Sequence, residues 1–274
     1  LCTLISKANG LRRRQILLNP SHTHAGPVLA LETFNDYGLP DDHQRISLQY
    51  TNMLFDRIVA AAKEACENMG PATLSLAMGE AEFVMNRREF TDSGVKLGVN
   101  RGGHVDRSVP VLRVDSPDGK LRAVLFGCAC HNTTLTGKNL QICGDYAGFA
   151  QAAVEKKLPG VQAMFMIGCG GAANPYPRTT LKDAQEHGQT LGSEVCHVLK
   201  GNFKPVGGRL ATRLEWTALP LAPVPDREAL DRMVKGPGYL RYNAARMIEA
   251  LDKGEELLTE YSAPIGLWKF GDDW

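Results

Sequence analysis

No stretch of this 274-residue chain stays apolar for 18 residues, so no segment reads as a transmembrane helix. The seven cysteines, Cys2, Cys66, Cys128, Cys130, Cys143, Cys169 and Cys196, include no Cys-x-x-Cys pair. That excludes a zinc knuckle, offers no disulfide framework, and leaves mostly buried thiols as the expectation. Neither sign of charge dominates: the net charge of +1 gives no reason to expect nucleic acid or an acidic membrane surface as partner. There is no Gly-x-Ser-x-Gly elbow, no internal repeat and no low-complexity tract. What remains is a globular composition, 43% hydrophobic and 22% charged, sufficient for a sizeable core.

The most informative string is Ser21-His22-Thr23-His24-Ala25-Gly26-Pro27, directly after an apolar run at residues 15–19. In an extended segment residues i and i+2 point the same way, so both imidazoles can face one point before Gly-Pro turns the chain aside. That suits a metal centre, or a general base with a partner, because histidine is the commonest metal ligand and titrates near neutrality. Two unrelated histidines on a surface loop fit the same string.

Periodicity and turn residues divide the rest. Asp41 and Asp42 cap a helix over about 43–69, whose stripe of Ile46, Tyr50, Met53, Leu54, Ile58, Ala61, Ala62 and Ala65 is expected in the core. Short strands are expected at 73–78 and 82–85, and a hairpin from 109–114 and 121–127 around Ser116-Pro117-Asp118-Gly119. Asp145 opens a helix to about 158, residues 161–167 form an apolar strand, and Thr180-Leu181-Lys182-Asp183 is a capping box opening a helix to about 200. A strand at 209–219, one or two helices within 226–260 and a strand at 265–270 follow. The chain opens on what resembles the back half of an amphipathic helix closed by Asn9-Gly10. The expectation is a single domain over 1–274, a fragment truncated at both ends.

Alternating strands and helices predict an α/β fold: a mixed, largely parallel sheet flanked by helices, with the site at the carboxyl ends of strands. Three apolar strands run into unusual loops. Residues 15–19 lead to the histidine pair, 121–127 to Cys128-Ala129-Cys130-His131-Asn132-Thr133-Thr134, and 161–167 to Gly168-Cys169-Gly170-Gly171-Ala172-Ala173-Asn174-Pro175. If they line one cleft, His22, His24 and His131 form a partial zinc shell. His131 alone is equally a core histidine bonded to a carbonyl, and Cys128 and Cys130 are assigned to packing. Arg87, in Asn86-Arg87-Arg88, is either a fixed cation for a carboxylate, phosphate or oxyanion, or part of a solvated basic edge. Gly170 and Gly171 permit close backbone approach and consecutive N–H groups for an anion. No Lys-Ser/Thr follows them, so a nucleotide is not indicated.

Ser21-His22-Thr23-His24-Ala25-Gly26-Pro27, Asn86-Arg87, Val109-Pro110-Val111-Leu112-Arg113-Val114, Ala129-Cys130-His131, Cys143-Gly144-Asp145-Tyr146-Ala147-Gly148 and Gly170-Gly171-Ala172-Ala173-Asn174-Pro175 lie in order along the chain. Order and approximate spacing resemble the catalytic domain of the neutral/alkaline non-lysosomal ceramidases, over about residues 11–200. The resemblance implies a Zn2+-dependent hydrolase that cleaves the amide of N-acylsphingosine, hence a small-molecule or lipid substrate and an extracytoplasmic or secreted setting. It assigns His22 and His131 to the metal, His24 to the substrate side with Arg87 beside it, and two further ligands, a glutamate and a tyrosine, to positions beyond Trp274.

The chain departs from the family at the nucleophile. In place of Gly-Asp-x-Ser-Pro it has Gly171-Ala172-Ala173-Asn174-Pro175. An amide is not a competent nucleophile, though Asn174 can donate a hydrogen bond to an oxyanion. The resemblance then implies attack by a metal-activated water, with His24 as general base and Arg87 as electrostatic stabiliser. The same departure leaves open a non-catalytic ligand-binding protein on this scaffold.

Overall fold

The chain order is α1 (Cys2–Asn9), α2 (Asp41–Glu67), β1 (Thr73–Glu80), β2 (Val84–Thr91), β3 (Gly94–Asn100), β4 (Ser108–Asp115), β5 (Leu121–Cys128), α3 (Asp145–Lys157), β6 (Gln162–Ile167), β7 (Ala173–Pro175), α4 (Leu181–Val198), β8 (Lys204–Val206), β9 (Leu210–Pro220), α5 (Arg227–Val234), α6 (Tyr239–Asp252) and β10 (Glu260–Phe270). The structure, a computed structural model, describes residues 1–30, 39–236 and 238–271. Its contacts divide the chain into two units: Leu1–Leu17, Pro27–Asn68 and Thr212–Trp268 in the first, and Leu18–Gly26, Met69–Ala211 and the residues from Lys269 in the second.

In the first unit α1 ends on Gly10 at φ 65, a left-handed conformation that glycine adopts without penalty. Helix α2 carries Asp41 and Asp42 in its first turn with Pro40 as N-cap, so the two acids oppose the helix dipole rather than cap the first amides. Its expected core stripe is covered only in part: Ile46 and Met53 are 57% and 45% exposed, whereas Tyr50, Leu54, Ile58 and Ala62 are half-buried. The buried positions are Ser47 and Thr51. Ser47 donates its hydroxyl to the Val28 carbonyl, and Thr51 Oγ1 accepts the Ala30 N–H at 2.8 Å. The helix turns to this segment, whose backbone groups need partners, a face that carries both hydroxyls together with the half-buried Leu54 and Ile58.

The second unit holds a five-stranded sheet in the order β6-β5-β4-β1-β8 and a three-stranded sheet in the order β3-β2-β7. The fold is mixed α/β, but the largely parallel sheet is corrected: only β5 and β6 pair parallel, and the other pairings of the main sheet are antiparallel. The reason is connection length. Strands β4 and β5 are joined by the Ser116–Gly119 turn, with Gly119 at φ 79 donating to the Ser116 carbonyl at 2.8 Å, whereas β5 reaches β6 only through α3, the crossover that parallel neighbours need. The core lies where α3 and α4 meet the sheet, among Val109, Val111, Val124, Phe126, Tyr146, Val154, Leu191 and Val195. Glycine permits the helices to approach: a Cβ on Gly188 would sit 2.9 Å from the Tyr146 carbonyl oxygen and 3.0 Å from the Ala150 nitrogen.

The expected strand at 15–19 is absent. A single 3-10 turn, Arg13–Gln15, precedes irregular backbone, and Asn19 docks on the end of β6 through its side chain. Its amide donates to the Ile167 carbonyl at 3.1 Å and accepts the Ile167 N–H at 3.0 Å. One carboxamide reproduces the donor and acceptor of a neighbouring strand, so the sheet edge is satisfied without one.

Candidate metal centre

Without a strand beneath it, the histidine loop is built by a bend and two moorings. His22 sits at φ 60, a left-handed conformation unusual for a non-glycine residue. Thr23 Oγ1 donates to the Cys143 carbonyl at 2.7 Å and accepts the Ala25 N–H at 3.2 Å, while the Cys143 N–H donates to the Ala25 carbonyl at 2.9 Å. The bend turns both rings to one point, with the Nε2 atoms of His22 and His24 3.2 Å apart.

His131 enters just past the end of β5. Its backbone N–H donates to the Ala173 carbonyl at 3.0 Å, and its Nδ1 lies 2.8 Å from the Gly170 carbonyl oxygen. A carbonyl only accepts, so Nδ1 carries the proton and Nε2 is left for a metal, the usual arrangement of a ligating imidazole. Gly170 is needed there, because a Cβ would fall 2.7 Å from the carbonyl carbon of Cys130. The His131 ring centroid is 4.6 Å from that of His22 and 5.9 Å from that of His24.

The three histidines each offer one ligand atom, and these atoms lie within 4.8 Å of one another. Tetrahedral bonds of about 2.0–2.1 Å from nitrogen to zinc put two nitrogens roughly 3.3 Å apart. The His22–His24 spacing of 3.2 Å is that of two ligands on one ion and equally that of a hydrogen bond between the rings; in the second arrangement His24 stands beside the ion and remains a base. Burial lowers the pKa of His24, helped by the charges of His22, Arg87 and Arg178 and opposed by Asp145. Burial likewise lowers that of His131, against the Gly170 carbonyl and with Arg87, His22 and His24 acting in the same direction as burial. Both shifts favour the neutral ring, which is the form that ligates or accepts a proton.

Arg87 lies on β2 and is fixed at both ends of its guanidinium. Its Nε donates to the Gly171 carbonyl at 3.0 Å and an Nη to Asn174 Oδ1 at 3.3 Å. Asn174, 6% exposed, accepts a second bond from Thr133 Oγ1 at 3.2 Å, so its carboxamide is oriented by its oxygen. The expected run of anion-binding N–H groups differs at Gly170, whose N–H is donated to the Gly168 carbonyl at 2.7 Å. The two glycines act here through their carbonyls, Gly170 on His131 and Gly171 on Arg87.

Cys128 and Cys130 are core residues, as expected, at 1% and 0% exposure. Burial pushes the Cys128 thiol up to about 12 and that of Cys130 well above its usual value, so neither is a ready thiolate. Sequence reasoning passed over Thr23 and Cys143, which moor the histidine loop, Thr133 beneath Asn174, and Arg178. The signal for Arg178 was its place in the same strand-end loop, between Pro177 and the helix start at Thr180.

Fold and site together define a mixed α/β protein with an imidazole cluster able to hold a metal at the ends of its strands. The chain belongs to the neutral/alkaline non-lysosomal ceramidase family, whose N-terminal profile matches residues 5–189. Neutral ceramidase B of Dictyostelium discoideum is 29% identical over 152 residues, a match covering 53% of this chain and 20% of that protein. The solved neutral ceramidase of Pseudomonas aeruginosa superposes with a TM-score of 0.66 at 16% identity, over 99% of this chain and 51% of that one. A ceramidase solved in complex with C2 gives 0.65 at 16% identity, over 99% and 52%. The chain thus spans about half the length of the solved ceramidases it matches. Among the described residues no helix is long and apolar enough to cross a membrane.

Proposed function

We propose that this chain carries the imidazole part of a zinc-dependent amide hydrolase site of the ceramidase type, acting on an N-acylated lipid or a related small molecule. The observation that carries the reading is the convergence of His22, His24 and His131 within 4.8 Å. Zinc, held by His22 and His131, would polarise the substrate carbonyl and acidify water. His24, kept neutral by burial and by neighbouring positive charge, is suited to take the proton of the attacking group. Arg87 lies ready to stabilise the negative charge that develops on the carbonyl oxygen, and Asn174 holds it there. With Asn174 at the serine's position no acyl-enzyme forms on that residue, which favours direct attack by water. The family likeness also favours an extracytoplasmic setting.

Metal analysis of the purified protein tests the assignment. His22→Ala and His131→Ala are each expected to lose bound zinc, and full zinc content in both would sink the reading. On amide and ester substrates His24→Ala should lose about 10²- to 10⁴-fold in turnover, the usual contribution of a general base. A protein that keeps zinc yet turns over neither substrate class would instead be a ligand binder on the ceramidase scaffold, the reading that the missing serine favours.

A further inference from the structure

Helices α3 and α4 end beside the start of β5, and a cavity of about 480 Å³ opens there. It is remote from the histidines. Strand β5 runs from Leu121, in the cavity wall, to Cys128, three residues before His131. At about 3.3 Å per residue that strand separates the two by roughly 20 Å.

The floor of the cavity is an outcrop of the core. Leu121, Leu158, Cys196 and Leu199 line it, each half-buried and packed against the core cluster. The turns that carry them are closed. The Leu158 N–H donates to the Val154 carbonyl at 2.9 Å and the Leu158 carbonyl accepts the Val161 N–H at 3.1 Å, while the Leu199 N–H donates to the Val195 carbonyl at 3.0 Å. The leucines are thus held in place with one side uncovered, and an apolar group that covers them is favoured.

The rim carries charge of one sign. Arg113, Lys157 and Lys200 line it with Ser193 and His197, and among the described residues no carboxylate does. Arg113 is already spent: its Nε donates to both Asp115 oxygens, at 2.7 and 3.0 Å, and its guanidinium lies over the Phe203 ring at 5.9 Å. Lys157 donates to Ser193 Oγ at 2.9 Å, and among the described residues neither it nor Lys200 has an acidic partner. Acids on the same two helices are engaged elsewhere, Glu155 by the Ala163 N–H and Glu194 by the Glu80 N–H, both at 3.1 Å. A lysine at a helix C-terminus is ordinary, since it opposes the dipole. Two of them around one apolar floor, with no carboxylate between, complement an amphiphilic anion. Both charges reach the Cys196 thiol in the floor, where they oppose the upward push of burial on its pKa.

We propose that this cavity is a second ligand site, which takes a carboxylate with a short alkyl tail, the head between Lys157 and Lys200 and the tail on the leucines. An acid of that class is what cleavage of an N-acyl bond would release, so its source in the cell rests on the hydrolase reading, whereas the site itself does not.

Calorimetric titration with octanoate tests it, and saturable binding is expected. Acetate, which lacks the tail, and octanol, which lacks the charge, should each bind at least about tenfold more weakly. Lys157→Gln/Lys200→Gln should weaken octanoate about tenfold, the loss of a charge-assisted contact. Lys138→Gln, an exposed lysine on another loop, should change nothing. Circular dichroism melting checks that the variants are folded. Modification of Cys196 by N-ethylmaleimide, followed by mass spectrometry of its peptide, locates the ligand: octanoate should slow it several-fold in the wild-type protein and not in the double variant. Slowing at Cys169, the exposed thiol beside Gly170, with none at Cys196 would put the acid at the histidine end and overturn the second site. So would absence of saturable binding, octanol binding as tightly as octanoate, or wild-type affinity in the double variant. None of these measurements needs turnover or bound zinc, so an inactive, zinc-free protein that still takes octanoate here defeats the hydrolase reading alone.

Discussion

Gly170 is the residue on which the orientation of His131 depends, because its carbonyl takes the Nδ1 proton and its missing side chain lets the loop lie on Cys130. Gly170→Ala is expected to push that loop off the strand end and to lower zinc affinity by about 10- to 100-fold, the usual effect of disturbing a ligand's supporting hydrogen bond. Competition with a chromophoric chelator measures it, and unchanged affinity would remove Gly170 from the site. Protonation supplies a second expectation. His24 and His131 have folded-state pKa values below the ordinary 6.5, so as pH falls through that value the unfolded chain takes up protons first. Their contribution to stability is therefore present above 6.5 and is lost as pH drops below it. Melting temperatures across that window should fall toward acid, less steeply in the double variant His24→Gln/His131→Gln; identical slopes would contradict the assignment.

Elements with a local code were legible. The Ser-Pro-Asp-Gly turn and the alternating strands around it gave the β4–β5 hairpin, and Thr180 with Asp183 gave the start of α4, where Thr180 Oγ1 accepts the Asp183 N–H at 3.1 Å and Asp183 accepts the Thr180 N–H at 2.9 Å. Thr180→Ala should cost about 1 kcal/mol in chemical denaturation. What was not legible depends on distant partners. Three-residue β7 exists because it pairs with β2, and short β8 because it pairs with β1. The apolar run at 15–19 failed as a strand because the Asn19 side chain does a strand's work at β6. The α3–α4 contact supplies a sharper test. Alanine is the better helix former by about 1 kcal/mol, yet Gly188→Ala should be net destabilising by about 1–3 kcal/mol through overpacking against α3. A rise in melting temperature would show the helices to be more loosely packed than described.

For the molecule as a whole, the order of weak motifs along the chain carried the family; His22, His24 and His131 come within 4.8 Å of one another, and Arg87 is bonded to Asn174. Arg178 escaped notice because nothing in its immediate sequence shows that its Nε is left without a partner; that follows from the packing of the loop. If the histidines bind metal only when folded, zinc at about 100 times its dissociation constant should stabilise the chain by about 2.7 kcal/mol, and a chelator should remove that gain. Calorimetric melting with and without chelator is the check. The moorings of the histidine loop also bear on the order of events in folding. Thr23 is tied to a partner 120 residues away and Asn19 to one 148 away, and contacts that close such long loops form late. In refolding, metal capture should lag behind the recovery of helical signal, which makes a bound ion a marker that the chain has reached its native topology.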